Sequence, residues 1–109
     1  MPNTLKRVRA RAFLHQNGKC FYCHKPIWLS DPDHFAAEQK FTIKQARRFQ
    51  CTAEHLRARK DGGGNNAANI AAACLFCNQG RHGRKAELTP GQFEVYVRMR
   101  MARGKWHSW

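Results

Sequence analysis

The sequence predicts a small α+β fold in which paired cysteines compensate for a thin apolar core. Three observations carry this prediction. The chain has 109 residues, the length of one domain. Leu, Ile, Val and Phe together number only 19, and the net charge is +13, a combination that borders on disorder. Against disorder stand 12 aromatic residues and five Cys, four of them in two Cys-x-x-Cys pairs, Cys20/Cys23 and Cys74/Cys77.

The elements follow from periodicity and punctuation. Thr4 to Gln16 reads as a helix, with Leu5, Val8, Ala12 and Phe13 on one stripe, Lys6, Arg7, Arg9 and Arg11 mostly off it, and Gly18 as the stop. Cys20-Phe-Tyr-Cys23 is a turn, so residues 4–25 make an N-terminal helix and a first knuckle. Residues 26–50 are an inserted segment; Pro32 is expected to break it and Thr42 to cap a short helix through Phe49. Cys51 to His55 reads as a strand, and Arg57 to Ala68, with Gly62-Gly63-Gly64-Asn65-Asn66, as a loop. Asn69 to Ala73 reads as a second strand, and a helix limited by Gly80 and Gly83 is expected from Asn78. Residues 51–85 are thus the core of a single domain spanning 1–109. Thr89-Pro90-Gly91-Gln92 carries a Thr cap, a Pro in first position and a Gln that closes a capping box, predicting a last helix over 89–104. That helix should bury Phe93, Tyr96, Val97 and Met101 and expose Arg98, Arg103 and Lys105, with Trp106 and Trp109 packing onto it or stacking on bases.

The two cysteine pairs are the strongest signal. A two-residue gap lets both thiolates of a turn face one ion, and two such turns complete a closed tetrahedral zinc site. The 50 residues between the pairs exceed the gap of a simple ribbon, so the knuckles clamp an inserted segment. The fold is therefore expected to be zinc-stabilised, since a structural zinc contributes roughly 10–16 kcal/mol to folding. Cys51 lacks a partner by spacing and reads as a buried strand residue. Cys20-x-x-Cys23-His24 also fits a c-type haem attachment pattern, but that chemistry needs export. The basic N-terminus has no apolar stretch behind it and no Ser before Ser30, so neither a secretory signal nor a transit peptide is read there. The longest apolar run is Ile70 to Cys77, too short to span a bilayer. The expected setting is a reducing cytoplasm, and the expected partner is anionic.

Ala53-Glu54-His55-Leu56, Gly62-Gly63, Asn69-Ile70 and Cys74-Leu-Phe-Cys77-Asn78 form an ordered series: an acid beside a His, a glycine-rich loop, an Asn-Ile strand, and a Cys pair followed by Asn. This series resembles the HNH (ββα-metal) endonuclease family, over Cys51 to Arg84 together with the first Cys pair. The residue types suit phosphodiester cleavage. A His titrating near neutral pH can take a proton from water, and a divalent ion can neutralise charge on the transition state and leaving oxygen. Adjacent residues of a strand point to opposite sides, so Glu54 can hold a metal while His55 faces water.

The resemblance implies His55 as general base and Asn69 as the residue that fixes its loop. It implies Glu54 and Asn78 as ligands of a catalytic Mg²⁺ or Mn²⁺, with His82, one helical turn after Asn78, as a further ligand or phosphate contact. Asn78 stands where the family often has His, making this an HNN variant, and Glu54 stands where Asp is common. Arg81, Arg84 and Lys85 would contact phosphates near the scissile bond, or form a solvated basic face. Arg57, Arg59 and Lys60 could track a strand or keep the loop soluble. His15, His24, His34 and His107 are expected on the surface. The implied activity is metal-dependent nicking or cleavage of double-stranded DNA, leaving a 5′-phosphate and a 3′-hydroxyl, by a monomer or homodimer that does not engage membranes. The competing reading is a non-catalytic zinc-knuckle nucleic-acid-binding module, with salt-dependent affinity and no second metal. RNA is also permitted as substrate or ligand.

Overall fold

A computed structural model describes residues 4–107. Its centre is an antiparallel pair of strands, β1 (Cys51–His55) and β2 (Ile70–Cys74), in the register Cys51↔Cys74 to His55↔Ile70. All of β2, Ile-Ala-Ala-Ala-Cys, is buried. Its small side chains let neighbouring elements pack closely. Helix α1 (Thr4–His15) packs on both strands. It ends where Gly18, at φ +70, donates its N–H to Phe13 O at 2.9 Å. Gln16 then clamps β2: its Nε2 donates to Ala72 O at 2.8 Å, and its Oε1 accepts Ala72 N at 2.9 Å.

The segment between the knuckles holds α2 (Pro32–Gln39) and α3 (Ile43–Arg47). Pro32 does not break this segment but opens α2. Asp31 caps the helix by accepting His34 N at 3.0 Å, and a Pro in the first turn has no N–H to leave unpaired. Thr42 caps α3 in a full capping box with Gln45, and the helix stops at Arg47 rather than Phe49. Phe35, Phe41 and Phe49 gather at ring separations of 5.4–6.2 Å. Trp28 fastens the segment through Nε1 to Ala46 O at 2.7 Å.

Helix α4 (Leu75–His82) begins three residues before the expected Asn78, directly at the second knuckle. Cys74 is its cap, and the orphan N–H groups of Leu75 and Phe76 donate to Gln50 O and Arg48 O. Helix α5 (Pro90–Ala102) starts as expected from the Thr89/Gln92 capping box and buries Phe93 and Val97. Trp106 packs on Phe76 at 4.9 Å and on Phe93 and Tyr96 at 5.9 Å, a packing role; Trp109 lies outside the described residues. His107, expected on the surface, is buried with its ring 4.8 Å from Phe49, because the chain folds back past α5 onto the aromatic cluster. No helix is long and apolar enough to cross a membrane among the described residues.

Candidate active site

The ligand atoms of Cys20, Cys23, Cys74 and Cys77 all lie within 4.8 Å of one another, and all four residues are buried. Tetrahedral zinc with Zn–S bonds of about 2.3 Å would set its sulfurs roughly 3.8 Å apart, so the cluster fits the ion. Backbone donors support the thiols: Tyr22 N and Cys74 N point at Cys20 Sγ at 3.4 and 3.3 Å, and Cys77 N at Cys74 Sγ at 3.3 Å. Trp106 Nε1 adds a bond to Cys77 Sγ at 3.3 Å. Hydrogen bonds from Cys20, Cys74 and Cys77 hold Cys23 far below the ordinary thiol range. Hydrogen bonding to Cys20 and Cys23 pushes Cys74 and Cys77 above it. Four buried thiols crowded around one point suit a dication that displaces their protons. Cys51 is not part of the cluster; it is buried opposite Cys74, and burial pushes its thiol up to about 11.

The second centre lies at the end of β1 and along α4, where Asn78 directly follows Cys77 of the cluster. A cleft of ≈ 290 Å³ is lined by Glu54, His55, Asn78 and His82 together with Arg59, Lys60 and Glu87. β1 supplies Glu54 and His55 at its end, and α4 supplies Asn78 and His82 one turn apart. Glu54 is 0% exposed, yet all its charge is answered. Its Oε2 accepts Tyr22 OH at 2.8 Å and Arg81 Nη1 at 3.1 Å, and its Oε1 lies 2.6 Å from His82 Nε2. Asn78 Nδ2 donates to Thr52 Oγ1 at 2.9 Å, which fixes the amide, and its Oδ1 takes no bond from a described residue. A carboxylate oxygen, an amide oxygen and an imidazole nitrogen therefore border one cleft, a donor set suited to a hard divalent ion.

His55 Nε2 lies 2.8 Å from Asn65 Oδ1 and receives Arg59 Nε at 3.3 Å. These contacts ask for opposite tautomers. The shorter one, to a carbonyl oxygen, places the proton on Nε2 and leaves Nδ1 as the lone-pair nitrogen. The loop between the strands is held by Asn69. Its Oδ1 accepts Arg57 N at 2.8 Å, and its Nδ2 donates to Arg57 O at 3.1 Å and Gly64 O at 2.9 Å. Gly63 passes so close to this knot that a Cβ there would meet Arg57 O at 1.7 Å and Asn69 Nδ2 at 2.9 Å.

The basic residues divide. Arg81, expected at the phosphates, is 3% exposed and turned inward. Besides Glu54 it donates to the carbonyls of His55, Leu56 and Leu88, at 3.0–3.1 Å, so it braces the site from within. Arg84 is exposed and lies over the Tyr96 ring at 4.6 Å, and Lys85 is exposed. Arg57 and Arg59 are exposed on the loop, and Lys60 Nζ sits 3.3 Å from Glu87 Oε2. His24 and His34 pair with Glu94 and Glu38 at the surface.

Sequence reasoning missed three participants and gave a fourth, Arg81, the wrong role. Tyr22 reaches Glu54 from inside the first knuckle, and Asn65 holds His55. Arg81 acts as a buried brace. Glu87 contacts His82 Nδ1 at the cleft mouth. Burial works against ionisation of Glu87, but hydrogen bonds from Lys60 and His82 hold its carboxyl below the ordinary range. Nothing in the sequence marks Tyr22 or Asn65 for these contacts, and Glu87 stands out only as one of seven acidic residues in a strongly basic chain. A larger concavity of ≈ 900 Å³, walled by Val8, Leu14, Phe21 and Ile70, holds none of this chemistry.

The family model described as HNH endonuclease matches residues 20–84, from the first knuckle to the end of the short helix region. Neither the curated proteins nor the solved structures contain a match to the chain.

Proposed function

The chain belongs to the HNH endonuclease family, and on that premise we propose that it is a metal-dependent DNA endonuclease or nickase acting on duplex DNA. The observation that carries this reading is the single cleft bordered by Glu54, His55, Asn78 and His82. His55 is the general base. With Nε2–H directed to Asn65, its Nδ1 takes the proton from the attacking water. Glu54 Oε1, Asn78 Oδ1 and His82 would hold Mg²⁺ or Mn²⁺. When bound, that ion supplies charge neutralisation for the transition state and the leaving oxygen. Arg81 and Tyr22 engage the other oxygen of Glu54 and so aim Oε1 into the cleft. Arg57, Arg59, Lys60, Arg84 and Lys85 would contact phosphates near the scissile bond. Asn69 keeps the His55 loop in one shape through its bonds to Arg57 and Gly64.

The test is plasmid nicking across Mg²⁺, Mn²⁺, Zn²⁺ and chelator. Mg²⁺- or Mn²⁺-dependent nicking is expected, and His55→Ala should lower the rate by about 10²–10⁴-fold with zinc content and unfolding midpoint retained. Cutting by His55→Ala at the wild-type rate, with contaminating nuclease excluded, would remove His55 as base. One observation favours the second reading, a non-catalytic nucleic-acid-binding module: Glu54 and His82 already satisfy each other at 2.6 Å. On that reading DNA is bound and never nicked with any of the three ions.

A further inference from the structure

We propose that the groove between α1 and β1, walled by Lys6, Arg9 and Arg59, holds the DNA backbone on its way to the scissile phosphate. The proposal rests on the nuclease reading for its substrate and adds a surface outside the catalytic cleft. The groove, ≈ 430 Å³, has Lys6 and Arg9 on one wall, Gln50 and Thr52 on its floor, and His55 and Arg59 at its end. His55 and Arg59 also line the catalytic cleft, so the two concavities meet at the general base.

Their charge differs. The cleft contains Glu54 and Glu87, whereas no described residue lining the groove is acidic. Helix α1 carries no acidic residue in Thr4–His15, and no ion pair among the described residues engages Arg9, whose Nε is buried without a hydrogen-bond partner. Three cations walling a concavity without an acid make a local attraction for a polyanion, and polar Gln50 offers its side chain to phosphate or sugar oxygens.

The helix itself sorts its cations. Lys6 and Arg9 are three apart and share a face, about one turn from each other. Arg7 and Arg11 are four apart and border a separate concavity with Thr4 and Val8 that includes neither His55 nor Arg59. Only the first pair leads to the reacting centre. This makes α1 its own control, because the two pairs carry the same charge on the same twelve-residue helix.

The experiment measures binding of a short labelled DNA duplex by zinc-loaded protein in a His55→Ala background, between about 50 and 200 mM salt. Lys6→Gln/Arg9→Gln should weaken binding and flatten the log Kd against log salt slope by about 1.8, since each phosphate contact contributes about 0.9. Arg7→Gln/Arg11→Gln should leave the slope unchanged. Lys6→Gln alone should flatten it by about 0.9, which keeps the test open should the Arg9 variant not fold. Equal slope changes in the two double variants would overturn the proposal in favour of diffuse charge, as would no change in either. Tighter binding of an RNA hairpin of similar length would overturn DNA as the occupant. Wild-type protein that never nicks plasmid while the groove pair alone flattens the slope would sink the nuclease reading and leave the groove standing.

Discussion

The Arg81–Glu54 pair is the sharpest point at which to test the architecture, because it lies between the strand that carries the candidate base and the helix that carries the candidate ligands. Arg81→Met keeps much of the side-chain volume and removes the charge. The structure indicates which of the lost bonds count. The carbonyls of Leu56 and Leu88 belong to half-buried residues, where water can replace the guanidinium. Glu54 is sealed and the carbonyl of buried His55 is bonded by Arg81 Nη1, so neither is readily rehydrated. Removing one partner of a buried ion pair costs about 3–5 kcal/mol, because the other charge is left uncompensated. For a domain near 100 residues, at about 4 °C per kcal/mol, the unfolding midpoint should fall by roughly 12–20 °C. Thermal unfolding of zinc-loaded protein at neutral pH reads this directly, with exposed Arg84→Met as control. Glu54→Gln removes the stranded charge, so the double variant should be more stable than the two single losses predict, with a coupling of about 1–3 kcal/mol. Should Arg81→Met cost under about 1 kcal/mol, as expected of a surface site, Arg81 would not be a buried brace and the account of how Glu54 is aimed would fail.

The remaining predictions concern other supports of the same site. Cys74→Ser should abolish stoichiometric zinc binding and cooperative unfolding, read by metal analysis and circular dichroism. In zinc-loaded wild type no thiol should alkylate at neutral pH, Cys51 included, since it is buried with its thiol pushed up to about 11. Gly63→Ala should displace the loop that carries Asn69's bonds, because its Cβ would lie 1.7 Å from Arg57 O. Faster amide exchange at Arg57, with zinc retained, would show this. Burial first, and the Glu54 charge second, hold the Tyr22 phenol well above its usual range. The folded state thus keeps a proton that the unfolded chain releases near about pH 10, so this contribution is full below that pH and is lost as pH rises beyond it. Tyr22→Phe should show a shallower alkaline loss of stability in denaturant titrations.

Much of this was legible in the residues. The Cys spacing named the four-cysteine cluster, because the gap of a knuckle is set by turn geometry and does not depend on the rest of the fold. The last helix was readable from Thr89, Pro90 and Gln92, since a capping box is satisfied within four residues. Pro32 misled because a proline breaks a helix interior but starts a helix when an Asp precedes it, and both patterns lie in the same short stretch. The start of α4 was placed late because its first turn relies on carbonyls of Arg48 and Gln50, far back in the chain.

By itself the sequence determined what depends on neighbours along the chain: the knuckles, the strand ending in Glu54-His55, the glycine loop with Asn69, and the family they spell. The tertiary structure alone decided the charge balance of the site. Arg81 and Tyr22 are 27 and 32 residues from Glu54, yet both close on the same carboxylate oxygen. An Arg reads alike in sequence whether it meets phosphate or a buried acid. Desolvation separates the two outcomes, and it exists only once distant segments have packed around the side chain.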